Sequence, residues 1–431
     1  MLRLKIQAFL ALLVVSIVFG MLAGMPATDI LNSVKSGMGS TLGFVAVVVG
    51  LGALFGAILE HSGGSQSLAG YLLQKIGKSN APWAMVLTGF IVAIPVFFDV
   101  AFIILLPVAR ALSRQTGKSL LLYAIPLLAG LAITHSFIPP TPGPIAVAEI
   151  LGADLGWVII FGFVIGVPSA IISGPLFAKY ISDKVNVNLP DLEGDEENDA
   201  KDKVGPSAGL IIPIIVLPII LIVLNTVFTG PLSSYIADLP QIGYAIALLG
   251  HPFTALIVAN FVAWYLLGVR RGVPKEDLLK ISTKSLYAAG VIILLTGAGG
   301  AFKQILVDTG AGKMLAESLT GDLFPPIVFA FILAALVRIL QGSATVAMIT
   351  AAGITAPLIQ SGGLDDAHKA LLVIGIASGA TILSHINDSG FWLVSQYLGL
   401  SEKDTFRSWT VMTTLIALTG LVVSSVLWFV I

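Results

Sequence analysis

The sequence predicts an all-α membrane protein built from two inverted-topology repeats with re-entrant hairpins and broken helices. Three observations predict it: an apolar composition, apolar segments interrupted by polar or proline-rich stretches, and a weak internal repeat. Of 431 residues, 56% are hydrophobic and 11% charged, whereas a soluble domain carries about 25% charged residues. The 45 glycines and 22 prolines suit close helix contacts and interrupted helices. With no cysteine there is no disulfide, thiolate metal site or thiol nucleophile. The net charge of −1 says nothing about partners.

Apolar segments fall at about 6–24, 43–60, 82–109, 119–138, 156–178, 207–229, 242–268, 285–302, 325–359, 369–384 and 409–431, which gives about 11–12 membrane segments. The first follows Met1-Leu2-Arg3-Leu4-Lys5 in the manner of a signal peptide. Its length and the many spans after it make it a membrane helix instead. One long hydrophilic stretch, 182–206, contains D-L-E-G-D-E-E-N-D-A-K-D-K and reads as a solvated cytoplasmic linker.

Cytoplasmic loops are marked by Lys and Arg. Arg3 and Lys5 place the N-terminus in the cytoplasm. Lys75 and Lys78 precede the segment at 82–109, and Arg110, Arg114 and Lys118 follow it, so both of its ends lie on one side. That makes it a re-entrant hairpin with its tip near Pro95 to Asp99. Lys179 and Lys184 return the chain to the cytoplasm before the linker. Arg270, Arg271, Lys275, Lys280 and Lys284 mark a cytoplasmic loop in the second half.

The halves are alike. Phe55 to Gly63, ending in Leu68-Ala69, aligns with Phe302 to Gly310, ending in Leu315-Ala316. Ala81-Pro82 then matches Pro325-Pro326, Phe97-Phe98-Asp99 falls over Gln341-Gly342-Ser343, and His135-Ser136 over His385-Ile386. The first repeat is expected at 1–181, with a hairpin at 82–109 and a broken helix at 119–151. A linking span at 207–241 inverts the second repeat, 242–431, whose hairpin is at 325–359 and broken helix at 369–398. Transporters of this design hold substrate near the midplane, between the broken elements.

Four breaks carry the polar chemistry. The first is the tip at Asp99, a carboxylate between apolar arms that must titrate, pair, or bind a cation; it also reads as a cap on a half-helix. The second is Thr134-His135-Ser136 through Thr141 to Pro144, where four prolines end the helix. The resuming helix offers backbone N–H groups to a carboxylate. His135 either relays protons or bonds a neighbouring helix. The third is Gln341-Gly342-Ser343-Ala344-Thr345, with Arg338 just upstream. A guanidinium there costs about 2.5–3.5 kcal/mol on insertion scales, so it faces a partner or cavity unless it snorkels from a kink. The fourth is His385-Ile386-Asn387-Asp388-Ser389-Gly390. Together the breaks suit a small, anionic, hydroxyl-rich solute moved with protons, with Na⁺ as the rival ion.

Weaker candidates are Glu149 and Asp154, read as extracellular surface residues; Glu60, His61 and Asp308 at span ends; and His251, read as a helix start. Nothing resembles a P-loop or a zincin motif, so ATP-driven transport and a metalloprotease are disfavoured. No cofactor, metal or nucleic-acid partner is expected.

At these breaks the sequence resembles the gluconate permease family of bacterial proton symporters. The stretches are I-P-V-F-F-D-V-A-F (94–102), T-H-S-F-I-P-P-T-P-G-P (134–144), Q-G-S-A-T-V-A-M-I-T-A-A-G (341–353), S-H-I-N-D-S-G-F-W-L-V (384–394) and L-S-E-K-D-T-F-R-S-W-T (400–410). The likeness runs from about residue 40 to the end. It departs at Thr141, where members often carry His. The resemblance implies an ion-transporter-type fold in the bacterial inner membrane and proton-coupled uptake of gluconate or a related sugar acid. D-Serine, glycerate and other small hydroxylated anions or zwitterions are the alternative substrates.

The expectation is therefore a secondary transporter for D-gluconate. Arg338 and the half-helix N-termini at the second and fourth breaks would hold the carboxylate. Gln341, Gly342, Ser343, Thr345, Ser136, Thr141, Asn387 and Ser389 complete the substrate set. Asp99 and Asp388 would couple protons, assisted by His135 and His385. A homodimer is expected by analogy with this architecture alone. A channel, or a membrane enzyme using Ser136 and His135, are the rivals from other classes.

Overall fold

In the computed structural model the described residues are 7–185, 187, 205–229, 231–236, 239–310 and 325–431. Arg3 and Lys5, most of the acidic linker, and the Leu315-Ala316 end of the repeat lie outside them. Helix α1 (Ala8–Leu22) and the long α2 (Ala27–His61) lead into α3 (Gly64–Ile76). Then α4 (Ala81–Val92) and α5 (Phe98–Thr116) form a hairpin, and α6 (Leu121–Phe137) and α7 (Pro142–Leu151) a broken helix. Helix α8 (Leu155–Ile171) passes through a kink at Gly174-Pro175 into α9 (Phe177–Ser182). Next come α10 (Ala208–Thr229), the short α11 (Ser233–Ile236), α12 (Pro240–Gly250), α13 (Pro252–Ala263) and the long α14 (Lys275–Asp308). The pattern then repeats. Helices α15 (Pro326–Gln341) and α16 (Ala344–Gly362) make a hairpin, α17 (Asp366–Thr381) and α18 (Ser389–Leu398) a broken helix, and α19 (Glu402–Thr405) and α20 (Val411–Val430) close the chain.

Among the described residues, seven helical stretches are long and apolar enough to cross a membrane. The hairpin arms are different. Helix α4 has 12 residues, and at about 1.5 Å per residue that reaches only partway through a hydrocarbon core about 30 Å thick. It turns back at Ala93 to Phe97, as a re-entrant element must. The expected run at 242–268 is bent: Pro252 has no N–H to give the preceding turn, and His251 caps α13 by accepting from the Phe253 N–H through Nδ1 at 3.3 Å.

Helices α2 and α14 extend well beyond the apolar runs at 43–60 and 285–302, and in the added turns charged residues such as Asp29, Lys35, Lys275 and Lys280 stay exposed. They pack antiparallel. Near the start of α2, Ser33 Oγ donates to Asp308 at the end of α14, at 2.5 Å. At the opposite ends the charges of Glu60 and Lys284 interact. Between them, a Cβ on Gly37 would lie 2.5 Å from the Gly300 carbonyl oxygen, and one on Gly300 2.5 Å from that of Gly37. Small residues let the backbones touch, the usual route to helix association in lipid.

The hairpins dock on the broken helices in the same way in both halves. A Cβ on Gly130 of α6 would meet the Val86 carbonyl oxygen of α4 at 2.2 Å, and one on Gly379 of α17 the Phe331 carbonyl oxygen of α15 at 2.2 Å. Glu149 and Asp154 differ from expectation, being partly buried rather than surface residues. Glu149 of α7 interacts with Lys303 of α14. Asp154 caps α8 by accepting from the Trp157 N–H at 3.0 Å and takes the Thr226 hydroxyl of α10 at 2.7 Å.

Gly37→Leu should therefore sharply reduce folded, monodisperse protein on fluorescence-detected gel filtration, since overpacking costs about 1–3 kcal/mol or more. Gly39→Leu, whose Cβ would meet nothing within 4 Å, should be tolerated.

Candidate functional site

The breaks meet around one cavity of about 660 Å³. Two re-entrant tips and two helix interruptions bring their polar residues to it from separate parts of the chain. The first tip contributes Asp99, and the end of α6 contributes His135 and Ser136. Arg338, Gln341, Gly342, Ser343 and Thr345 come from the second tip, and Asn387, Asp388 and Ser389 from the interruption between α17 and α18. Three helices also begin at the cavity wall: α5 at Phe98, α16 at Ala344 and α18 at Ser389. The first turn of a helix leaves backbone N–H groups without intrahelical partners and carries partial positive charge.

The arginine is not free. Arg338 is 5% exposed, and its Nη2 donates to the carboxylate of Asp388. Its Nη1 donates to the Gly342 carbonyl of its own tip, and its Nε has no partner among the described residues. Asp388 is held from three sides, by Arg338, by the Ser384 hydroxyl and by the Gly390 N–H at 3.1 Å. Trp409 Nε1 donates to Ser384 Oγ at 2.6 Å. Asp99 contrasts with this. Its side chain is exposed to the cavity, and it makes no hydrogen bond among the described residues. It lies close enough to Asp388 for their charges to interact. The His135 ring packs on Phe98, with centroids 6.4 Å apart, and its Nδ1 is buried without a partner among the described residues.

The second tip and the fourth break are stitched together. Asn387 Nδ2 donates to the Ile339 carbonyl at 2.9 Å, and His385 Nε2 lies 3.1 Å from the same oxygen. Gly342 adopts φ 90°, and a Cβ there would sit 2.2 Å from the Asn387 carbonyl oxygen, so only glycine satisfies both the backbone angle and the contact. Gln341 Oε1 accepts from the Ser343 N–H at 3.2 Å, and Ser343 Oγ caps α16 through the Val346 N–H at 3.4 Å. Their remaining hydrogens stay available to a ligand.

Two expected site residues stand apart from the cavity. Thr141 is 5% exposed and donates to the Ile138 carbonyl at 2.6 Å. It lines a separate small pocket of about 20 Å³, with Pro140 and Pro142, behind the first tip. The start of α7 lies there too, so the N-terminus at the second break does not face the main cavity. His385 is turned onto Ile339 and is likewise not part of the wall. Sequence reasoning missed Ser384, Trp409 and Phe98. All three lie in stretches that carry the family resemblance, but none interrupts an apolar pattern, so their contacts with the site emerge only from the fold. It also missed Arg110, read as a loop cation. That residue is 6% exposed and donates through Nη2 to the Tyr397 carbonyl at the end of α18, at 2.8 Å.

The chain is similar to several known transporters. A low-affinity gluconate transporter of Escherichia coli K12 is 41% identical over 424 residues, covering 98% of this chain and 94% of its own. A gluconate permease of Bacillus subtilis 168 is 37% identical, covering 97% and 94%. An L-idonate transporter of E. coli K12 is 38% identical, covering 98% and 94%. Among solved structures, the YdaH transporter of Alcanivorax borkumensis shares the fold with a TM-score of 0.60 over 94% of this chain and 87% of its own, at 15% identity. The model of the GntP family of permeases matches residues 1–431, and the chain belongs to that family.

Proposed function

We propose that this permease imports D-gluconate together with protons across the bacterial inner membrane, with its N-terminus in the cytoplasm. The observation that carries the reading is the charge of the cavity. One guanidinium, two carboxylates and three helix N-termini stand around a space of about 660 Å³, within the usual range for small-molecule sites of about 300–1,000 Å³. Arg338 and the N-termini attract a carboxylate. The Gln341, Ser343, Thr345 and Ser389 side chains suit its hydroxyls. Adding an anion to a wall that already holds Asp99 and Asp388 leaves excess negative charge, and a proton on one of them offsets it. Relatives named for gluconate and for its stereoisomer L-idonate support the substrate class. The two repeats, 1–181 and 242–431, rock about this site to expose it alternately.

Proteoliposomes test this directly. An inward proton gradient should drive concentrative uptake of labelled gluconate that collapses with a protonophore and ignores Na⁺. Uptake only with Na⁺ would reverse the choice of ion, and passive equilibration alone would indicate a channel. Asp99→Asn, which removes a charge that repels Asp388, should shift the pH dependence of uptake to lower pH; unchanged pH dependence would remove Asp99 from the coupling. Arg338→Ala should abolish uptake. Removing the cation from the partly buried Asp388 should also cost about 1–3 kcal/mol of stability, read as a lower melting temperature in detergent. The double variant Arg338→Ala/Asp388→Ala should recover part of that loss.

A further inference from the structure

We propose that Asp388 is a stand-in for the substrate: its carboxylate occupies Arg338 in the empty site and yields that place to the substrate's carboxylate by taking up a proton. The inference rests on the sugar-acid reading above and says how proton and substrate are tied together.

Three donors converge on the carboxylate of Asp388. Arg338 cannot give up its proton in a protein, so Nη2 is always a donor to Asp388. The Gly390 N–H is a second donor, at 3.1 Å. The third is the Ser384 hydroxyl, and its direction is fixed from behind. Ser384 Oγ accepts from Trp409 Nε1 at 2.6 Å, which turns its own hydrogen toward Asp388. A carboxylate surrounded by three donors is complementary to the ionised form. A proton on Oδ2 would stand against two of these donors and break the contact with Arg338.

The guanidinium would then be buried without a counter-ion, which is strongly unfavourable. Arg338 is 5% exposed, and its remaining Nη contact is to a neutral carbonyl. A ligand carboxylate in the adjoining cavity supplies the missing charge. In the exchange, a hydronium in the cavity gives its proton to Asp388 Oδ2, leaving water. The Nη2–H bond to Oδ2 is lost, and Nη2–H donates to a substrate oxygen instead. No net charge is added to the buried pair. Loading the anion therefore requires the proton, and releasing the proton expels the anion.

The other titratable and charged groups around Asp388 are few. Asp99 on α5 bears on it through charge repulsion. His135 on α6 shares the cavity wall. His385, in the same connection as Asp388, has its ring on the Ile339 carbonyl. None of them contacts Arg338 in place of Asp388.

The test is labelled D-gluconate binding to the purified full chain in detergent, with proton uptake followed by an indicator dye in weak buffer. Between about pH 5.5 and about pH 8.5, wild-type affinity should fall about tenfold per pH unit above the midpoint, the slope for one linked proton, and binding should consume protons. Asp388→Asn mimics the protonated form. It should bind with affinity constant within about threefold over that range and take up no proton. In proteoliposomes it should exchange labelled for unlabelled gluconate without accumulating it. Ser384→Ala, which removes one donor from the carboxylate, should move the midpoint of binding to higher pH. Wild-type pH dependence and proton uptake retained in Asp388→Asn would overturn the exchange. If that variant does not fold, an unmoved midpoint in Ser384→Ala would overturn it equally. Gluconate binding by the wild type that is independent of pH sinks the exchange alone. No gluconate binding at any pH sinks the substrate reading and the exchange with it.

Discussion

Lipid offers no hydrogen bonds, so each backbone group released where a helix stops inside the membrane must find a partner within the protein. That constraint organises the molecule around its breaks. Hairpin tips and helix interruptions are placed so that one satisfies the other. Thr134 Oγ1 of α6 donates to the Phe90 carbonyl near the end of α4 at 2.8 Å. Asn387 and His385 take the Ile339 carbonyl near the end of α15. Helix C-termini are thus closed by side chains from the neighbouring interruption. The N-termini of α5, α16 and α18 are left to line the cavity, where water or a ligand can reach them.

The same economy ties one half to the other. Arg110 of α5 reaches across to the Tyr397 carbonyl at the C-terminus of α18, where a cation also suits the helix dipole. Phe102 of α5 packs edge-on against Tyr397, with centroids 6.3 Å apart, and Phe98 at the start of α5 lies 5.6 Å from Trp409. Asp99 and Asp388 thus stand at the starts of two helices, α5 and α18, and the end of α18 is held against the body of α5 as well. A change in charge at one carboxylate is felt by elements of both halves.

Much of this was legible because each break violates a strong pattern. Arg338, Asp99 and Asp388 are charges within apolar runs, and Pro139 to Pro144 cannot continue a helix. The re-entrant shape of 82–109 followed from cations at both of its ends. What remained hidden was pairing. Nothing in the sequence says that Arg338 and Asp388, fifty residues apart, neutralise each other, or that Asn387 and His385 serve one carbonyl. The first half of α2 was overlooked because its exposed polar residues, Asp29, Asn32, Lys35 and Ser36, lower the average hydropathy of a helix that meets α14 through Ser33, Gly37 and Thr41. Ser384 and Trp409 look ordinary beside apolar neighbours. Their roles arise from a hydrogen-bond direction that exists only in three dimensions.

Symmetry accounts for the frame, and its violation accounts for the chemistry. Equivalent glycines seat equivalent hairpins in the two halves, yet the corresponding breaks carry different residues. Helix α7 begins Pro142-Gly143-Pro144, and two of those three residues have no N–H, so its positive end has few donors to offer. It faces only the small pocket behind the first tip. Helix α18 begins Ser389-Gly390, with N–H groups intact, and opens on the cavity beside Arg338. The first tip presents Phe97, Phe98 and Asp99 where the second presents Gln341, Gly342 and Ser343. Donors are therefore concentrated on the second half and aromatic surface on the first. The two sides of the cavity therefore differ in chemistry, with most of the donors on one and the paired phenylalanines on the other, within a frame whose two halves repeat the same elements.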